Sequence, residues 1–152
     1  MSAANSDVQV YLRVRPSPSA SCLSSITPTA VVAGCGKTAA EFTFDRVFDQ
    51  GSTQAGVFGD VGAGMTQACL EGFNTTIFAY GQTGAGKTYT VVGPDDGNKT
   101  AEGLIPRVLR DLFRTIAELR AQEGSAGTTS YKCRASICEI YQEQVRDLTS
   151  SA

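Results

Sequence analysis

An α/β layered fold around a central, mainly parallel sheet is what this sequence predicts, and three observations predict it. Short β-branched and aromatic runs alternate with helical apolar stripes along the chain. One such run, Thr75–Tyr80, leads into a glycine-rich loop, Gly81-Gln82-Thr83-Gly84-Ala85-Gly86-Lys87-Thr88. The clearest helical stripe, Leu104–Arg120, follows that loop after a polar insertion.

Each element has its own reason. Val8–Val14 alternates, with Val8, Val10, Leu12 and Val14 on one face and Gln9, Tyr11 and Arg13 on the other, which predicts a strand. Arg15-Pro16-Ser17-Pro18 ends it, and Ser17–Ser25 is small, polar and turn-like. Ile26–Val32 reads as a short strand, and Glu41–Phe48 as a strand running into a loop. Thr53–Leu70 carries Val57, Phe58, Val61, Met65, Cys69 and Leu70 at helical spacing. It is expected to be a helix, although each of its four glycines weakens it by about 1 kcal/mol.

Lys87–Val92 has room for one or two helical turns before Gly93-Pro94. Gly93–Gly103 reads as a surface loop. In Leu104–Arg120, Pro106 sits near the first turn, where a missing N–H costs nothing. Arg107, Asp111, Arg114 and Glu118 line the polar face as a solvated, ion-paired row. Gln122–Ser130 reads as a flexible loop, Tyr131–Tyr141 as a last strand, and Gln144–Thr149 as a polar end.

The loop at 81–88 carries the chemistry. Two glycines four residues apart, followed by Lys and Thr, form the phosphate-binding pattern. Glycines let the backbone curl until its N–H groups converge on phosphate oxygens. Lys87 supplies a point charge for the β- and γ-phosphates, and Thr88 a hydroxyl for Mg²⁺. The helix that opens there turns its positive end to the anion. A nucleoside triphosphate is the expected ligand. The bland alternative is a glycine-rich surface turn, but the buried-strand run before the loop and the helical turn after it supply the context the pattern demands. Gly36-Lys37-Thr38 is a contrast: Val31 stands in the place of the first glycine, and the segment reads as loop.

Bulk properties narrow the classes. The 152 residues suffice for one domain with a core. A net charge of −2 gives no basic balance that would suggest nucleic acid, and no apolar run approaches a membrane span. The five cysteines, Cys22, Cys35, Cys69, Cys133 and Cys138, are irregularly spaced, with no Cys-x-x-Cys and no histidine. A zinc site is not expected, and reduced thiols in or near the core are. Met1–Asp7 lacks the basic start and apolar segment of a secretory signal.

Five ordered motifs then resemble the kinesin motor domain. Phe78–Thr88 is similar to that family's phosphate loop almost residue for residue, including the internal Gln82-Thr83. Arg13-Val14-Arg15-Pro16 resembles its first-strand motif, and Phe42–Phe48 the next. Gly103-Leu104-Ile105-Pro106-Arg107 resembles the start of the helix after the insertion loop. Glu139-Ile140-Tyr141-Gln142-Glu143 resembles its Glu-Ile-Tyr-Asn-Glu segment, with Gln142 adding one methylene to the usual Asn.

The resemblance implies a phosphate-loop NTPase fold of the kinesin-motor kind, incomplete in this chain. It would comprise a disordered start at 1–6, the N-terminal half of the motor at 7–150, and a truncated end at 151–152. It implies that Arg13, Arg15 and Pro16 flank an adenine, with Tyr89 against the base. It implies that Gly81, Gln82, Thr83, Gly84, Ala85, Gly86, Lys87 and Thr88 hold ATP phosphates, with Thr88 toward Mg²⁺. The bland alternative for Arg13 and Arg15 is solvated strand-end charges, and for Tyr89 a place in the core.

The resemblance also implies microtubules as partner, through tubulin, and a place on the cytoplasmic cytoskeleton. Neither nucleic acid nor membrane is expected as a partner. The family's Asn-x-x-Ser-Ser-Arg and Asp-x-x-Gly motifs do not occur in this sequence. No catalytic set is therefore complete, and little or no ATP turnover is expected from these residues alone. The family places further strands beside the first strand and the phosphate-loop strand, so marginal stability and open strand edges are expected here. The alternative is a non-catalytic product that binds nucleotide or protein. A nucleotide kinase reading lacks support from the four accompanying segments.

Overall fold

A computed structural model describes residues 8–17, 22–34, 36–123 and 129–149. The chain groups into two compact units, Met1–Phe113 and Arg114–Ala152. The expectations for 1–6, for 151–152 and for Cys35 lie outside the described residues.

In the first unit, β1 (Tyr11–Arg13) pairs in parallel with β5 (Arg46–Phe48), with Tyr11 opposite Arg46 and Arg13 opposite Phe48. The pairing runs on at both ends, through Asp45 N–H to the Val10 carbonyl and Val14 N–H to the Phe48 carbonyl. β2 (Leu23–Ile26), β3 (Ala30–Ala33) and β4 (Ala40–Thr43) form a separate antiparallel sheet. Ile26–Val32 is thus not one strand. It spans the β2–β3 turn, where Thr27 and Ala30 exchange hydrogen bonds across Pro28-Thr29, and Pro28 has no N–H to give a ladder. Glu41–Phe48 likewise divides at Phe44-Asp45, whose N–H groups turn to Thr29 and Val10.

The helical stripe beginning at Thr53 forms in three joined pieces: α1 (Gln54–Val57), a π turn (Phe58–Gly62) and α2 (Ala63–Leu70). The Thr53 hydroxyl accepts from Gly56 N–H and caps the start. At the π turn the Phe58 ring lies over Gly62, where a Cβ would stand 2.6 Å from the ring. Glycine therefore accommodates the wide turn. The core gathers Phe48, Val57 and Leu104, with Tyr11, Phe58 and Val61 packed against it. Tyr11 comes from the face of β1 opposite the valines, and its ring stacks on Phe48 at 6.1 Å. Val8 and Val10 are exposed.

Thr75–Tyr80 does not form a strand. Residues 74–80 join no ladder among the described residues, and Phe78 and Tyr80 are 83% and 90% exposed. Its apolar composition is that of a strand buried between neighbours, and among the described residues no strand pairs with it. α3 (Lys87–Val91) follows the loop.

The insertion then closes tightly. Gly103 N–H donates to the Val92 carbonyl at 2.9 Å, and Gly93, at φ +99°, faces Ala101–Gly103. α4 (Leu104–Glu123) continues three residues past the expected end. Arg107 is not part of a solvated row: it donates to the carbonyls of Glu102 and Thr100, both at 2.8 Å, and holds the insertion against the helix. Gly36–Thr38 is a single 3-10 turn, as its loop reading requires.

In the second unit, Arg114 and Glu118 pair at 2.7 Å on α4. Only the end of Tyr131–Tyr141 is a strand: β6 (Cys138–Tyr141) pairs with β7 (Gln144–Asp147) as a hairpin. Gln142 and Glu143 form its turn at φ 49° and 62°, the left-handed pair that a two-residue hairpin of this twist demands. Asn tolerates that conformation better than Gln, so the extra methylene at 142 carries a backbone cost. Cys22, Cys69, Cys133 and Cys138 are exposed, not in the core.

Candidate functional site

The phosphate loop is built between the extended segment and α3. Gly84 and Gly86 take φ +79° and +101°, a region that a β-carbon disfavours, and Gly81 takes +154°. Ala85 N–H donates to the Gln82 carbonyl at 3.1 Å and tightens the curl. Gly86 caps α3, which begins at Lys87. The Lys87 ammonium turns back over the loop, donating to the carbonyls of Gly81 at 2.8 Å and Gln82 at 3.0 Å. Thr88 is exposed on the first turn. Arg15 crosses from the end of β1 and donates from Nη1 to the Gly84 carbonyl. A Cβ built on Gly84 or Gly86 would stand 3.8 Å from its Nη1 or 4.0 Å from its Cδ, so the side chain lies along the loop.

These groups suit an anionic ligand. An ammonium and a guanidinium stand on one loop, bonded among the described residues to neutral carbonyls, which phosphate oxygens would replace with stronger, charge-assisted partners. The glycines leave the backbone free of side chains where it curls.

Of the other expected site residues, Pro16 is exposed, one residue beyond Arg15. Tyr89 is on α3, and its ring lies 5.2 Å from the Arg13 guanidinium. Arg13 is turned inward from β1. It donates to Gln54 Oε1 at 2.7 Å, Thr90 Oγ1 at 3.0 Å and the Ser52 carbonyl at 3.4 Å. Burial lowers its pKa from the usual arginine value, and Tyr89 opposes that shift. The structure therefore brings Arg13, Arg15 and Tyr89 to the loop, with Arg15 on its surface and Arg13 behind α3.

Sequence reasoning missed Gln54, which is 4% exposed and bonded to three partners. Gly103 was read only as the head of a motif, without its close packing. A Cβ there would meet Val91 and Val92 backbone at 2.6 Å. The only sequence signal for Gln54 is a polar residue next to a helix-starting Thr, which is common on surfaces.

The kinesin motor domain model matches residues 22–152. The chain belongs to the kinesin motor-domain family. It is 38% identical to "Kinesin-like protein KIF15" of Homo sapiens over 95% of this chain and 11% of that protein. It is 43% identical to "Kinesin-like protein KIN-12B" of Oryza sativa subsp. japonica over 94% of this chain and 14% of that protein. A solved structure, "Structure of a fast kinesin: Implications for ATPase mechanism and interactions with microtubules", aligns with a TM-score of 0.76 at 30% identity, covering 93% of this chain and 40% of that one. The chain thus spans 11% and 14% of the length of these two kinesin-like relatives. An α/β phosphate-loop fold of the kinesin kind, with a parallel strand pair and flanking helices, agrees with the elements described here.

Proposed function

We propose that this chain is the ATP-binding portion of a kinesin-like microtubule motor, within an N-terminal motor half at 7–150. The observation that carries the reading is the loop at 81–88, with Lys87 and Arg15 both aimed at its backbone. On this reading Lys87 exchanges its two carbonyls for phosphate oxygens, and the glycine-rich backbone supplies N–H donors. Thr88 offers its hydroxyl to Mg²⁺. Bound Mg·ATP would supply the phosphoanhydride whose cleavage powers movement in such a motor. Arg15 and Pro16 border the nucleotide from the end of β1, and Tyr89 offers the base an aromatic face. Arg13 supports Tyr89 from behind through its guanidinium.

Microtubules are the partner of the motor, and the cytoplasmic cytoskeleton its place. The residues here hold no group that orients an attacking water, since both expected motifs are missing from the sequence. Positioning is most of phosphoryl-transfer catalysis, so these residues bind but scarcely turn over. Binding of a fluorescent ATP analogue with Mg²⁺, compared between the chain and Lys87→Ala, tests the first claim. Equal affinity of the two proteins refutes the loop assignment. ATP hydrolysis by residues 1–152 that rises with added microtubules refutes the expected lack of turnover.

A further inference from the structure

Gln54 is a buried amide whose two ends face opposite chemistry. Its Oε1 accepts from the Arg13 guanidinium at 2.7 Å. Its Nε2 donates to the Tyr89 carbonyl at 2.6 Å and the Ala101 carbonyl at 2.9 Å. The orientation is fixed: a flipped amide would set NH₂ against a cation and oxygen against two carbonyls. The Tyr89 carbonyl needs such a donor. In α3 the N–H groups of Val92 and Gly93 both go to Thr88, so neither serves Tyr89. Two residues upstream of Tyr89 stands Lys87. One side chain therefore joins β1, α3 and the end of the insertion.

We propose that Gln54 is the positioning residue of the phosphate loop, fixing the direction of α3 and so the places of Lys87 and Thr88. Nothing in the loop motif requires it, and its contacts come from three elements far apart in sequence. Arg13 extends the same anchor, since its guanidinium reaches Thr90 as well as Gln54. The inference rests on the nucleotide reading above for its consequence, but not for its geometry.

Two arms of one experiment on the full chain separate them. Without nucleotide, amide hydrogen exchange is compared between the wild type and Gln54→Met, which keeps volume and loses all three bonds. Exchange at Thr90, bonded to Gly86, and at Gly103, bonded to Val92, is expected to rise together by about ten-fold, while the β3–β4 amides stay unchanged. Unchanged exchange at Thr90 and Gly103 means that Gln54 only fills space, and overturns the proposal. Should the β3–β4 amides also open, Gln54→Glu replaces the methionine variant. It keeps the Arg13 acceptor and sets an oxygen against the two carbonyls. A rise confined to Thr90 and Gly103 supports the proposal, and no rise overturns it.

With a slowly hydrolysed ATP analogue and Mg²⁺, the affinity of the position-54 variant is expected to fall about ten-fold, while Gln67→Met on the exposed side of α2 binds like the wild type. Raised exchange with unchanged affinity overturns the link to the loop. A wild type that does not bind the analogue refutes the nucleotide reading instead, and the first arm still decides the role of Gln54.

Discussion

Gly103→Ala is expected to be among the most damaging single-methyl changes in the first unit. The added Cβ would stand 2.6 Å from Val91 C and Val92 N, and 2.7 Å from Val91 O. Carbon contacts settle near 3.5 Å or more, so the two backbones must part by about 1 Å. That movement breaks the 2.9 Å bond from Gly103 N–H to the Val92 carbonyl. Overpacking costs about 1–3 kcal/mol and the lost bond about 1 more. With a urea slope of about 2 kcal/mol per molar, the midpoint of the far-ultraviolet helical signal should fall by about 1–2 M. Gly64→Ala is the internal control. No atom lies within 4 Å of its Cβ, and its backbone is helical, so about 0.5–1 kcal/mol of stabilisation is expected. The two variants add the same methyl and should move in opposite directions. A Gly103→Ala midpoint at or above the wild type refutes the close-approach argument.

Lys87→Ala should weaken Mg·ATP binding by about ten- to a hundred-fold, because a charge-assisted partner is worth about 1.5–3 kcal/mol; titration calorimetry reads it, and an unchanged Kd contradicts the assignment. The Thr66 hydroxyl is buried in α2 with no hydrogen-bond partner among the described residues, so Thr66→Val should gain about 1 kcal/mol and raise Tm by about 2–4 °C; a lower Tm would count against an orphaned hydroxyl. Gln142→Asn should tighten the β6–β7 hairpin by up to about 1 kcal/mol, seen as slower amide exchange at Cys138–Tyr141; faster exchange contradicts the left-handed turn. The chain by itself should melt broadly and bind a hydrophobic dye, since Phe78, Tyr80, Ile105, Leu109 and Phe113 all face solvent; a sharp transition at high temperature would refute marginal stability.

The phosphate loop was legible because its requirement is local. Left-handed backbone at Gly84 and Gly86, a lysine and a following helical turn are all written in consecutive residues. The helix expected at Leu104–Arg120 was legible for the same reason, through its apolar period, though not its last three residues. Strand limits were not. Thr75–Tyr80 has the composition of a strand, yet a strand exists only with a neighbour, and its neighbour is no part of its own sequence. Nor does the alternation along β1 say which of its faces is covered. Burial of Tyr11 and Arg13 depends on α1, α3 and β5 arriving on that side. Gln54 was invisible because its partners lie 35, 41 and 47 residues away. The thiols show the limit of composition: cysteine is commonly buried, and the four described here are exposed.

The loop is thus anchored unequally at its two ends. On the helix side, Gln54, Gly103 and Arg107 tie α3 and the insertion to the core. On the strand side, residues 74–80 give their backbone groups to no ladder among the described residues. A phosphate group gripping the loop must order both sides. Fixing backbone costs about 1–2 kcal/mol per residue, so holding even three residues of the strand side consumes about 3–6 kcal/mol of any binding energy. Affinity falls by the fraction of molecules already in the competent arrangement, which corresponds to about two to four powers of ten. Neighbouring strands would supply that order before the nucleotide arrives. Nucleotide affinity is therefore a measure of sheet completion: it should rise when 74–80 gains a strand beside it, even though no new residue touches the phosphates.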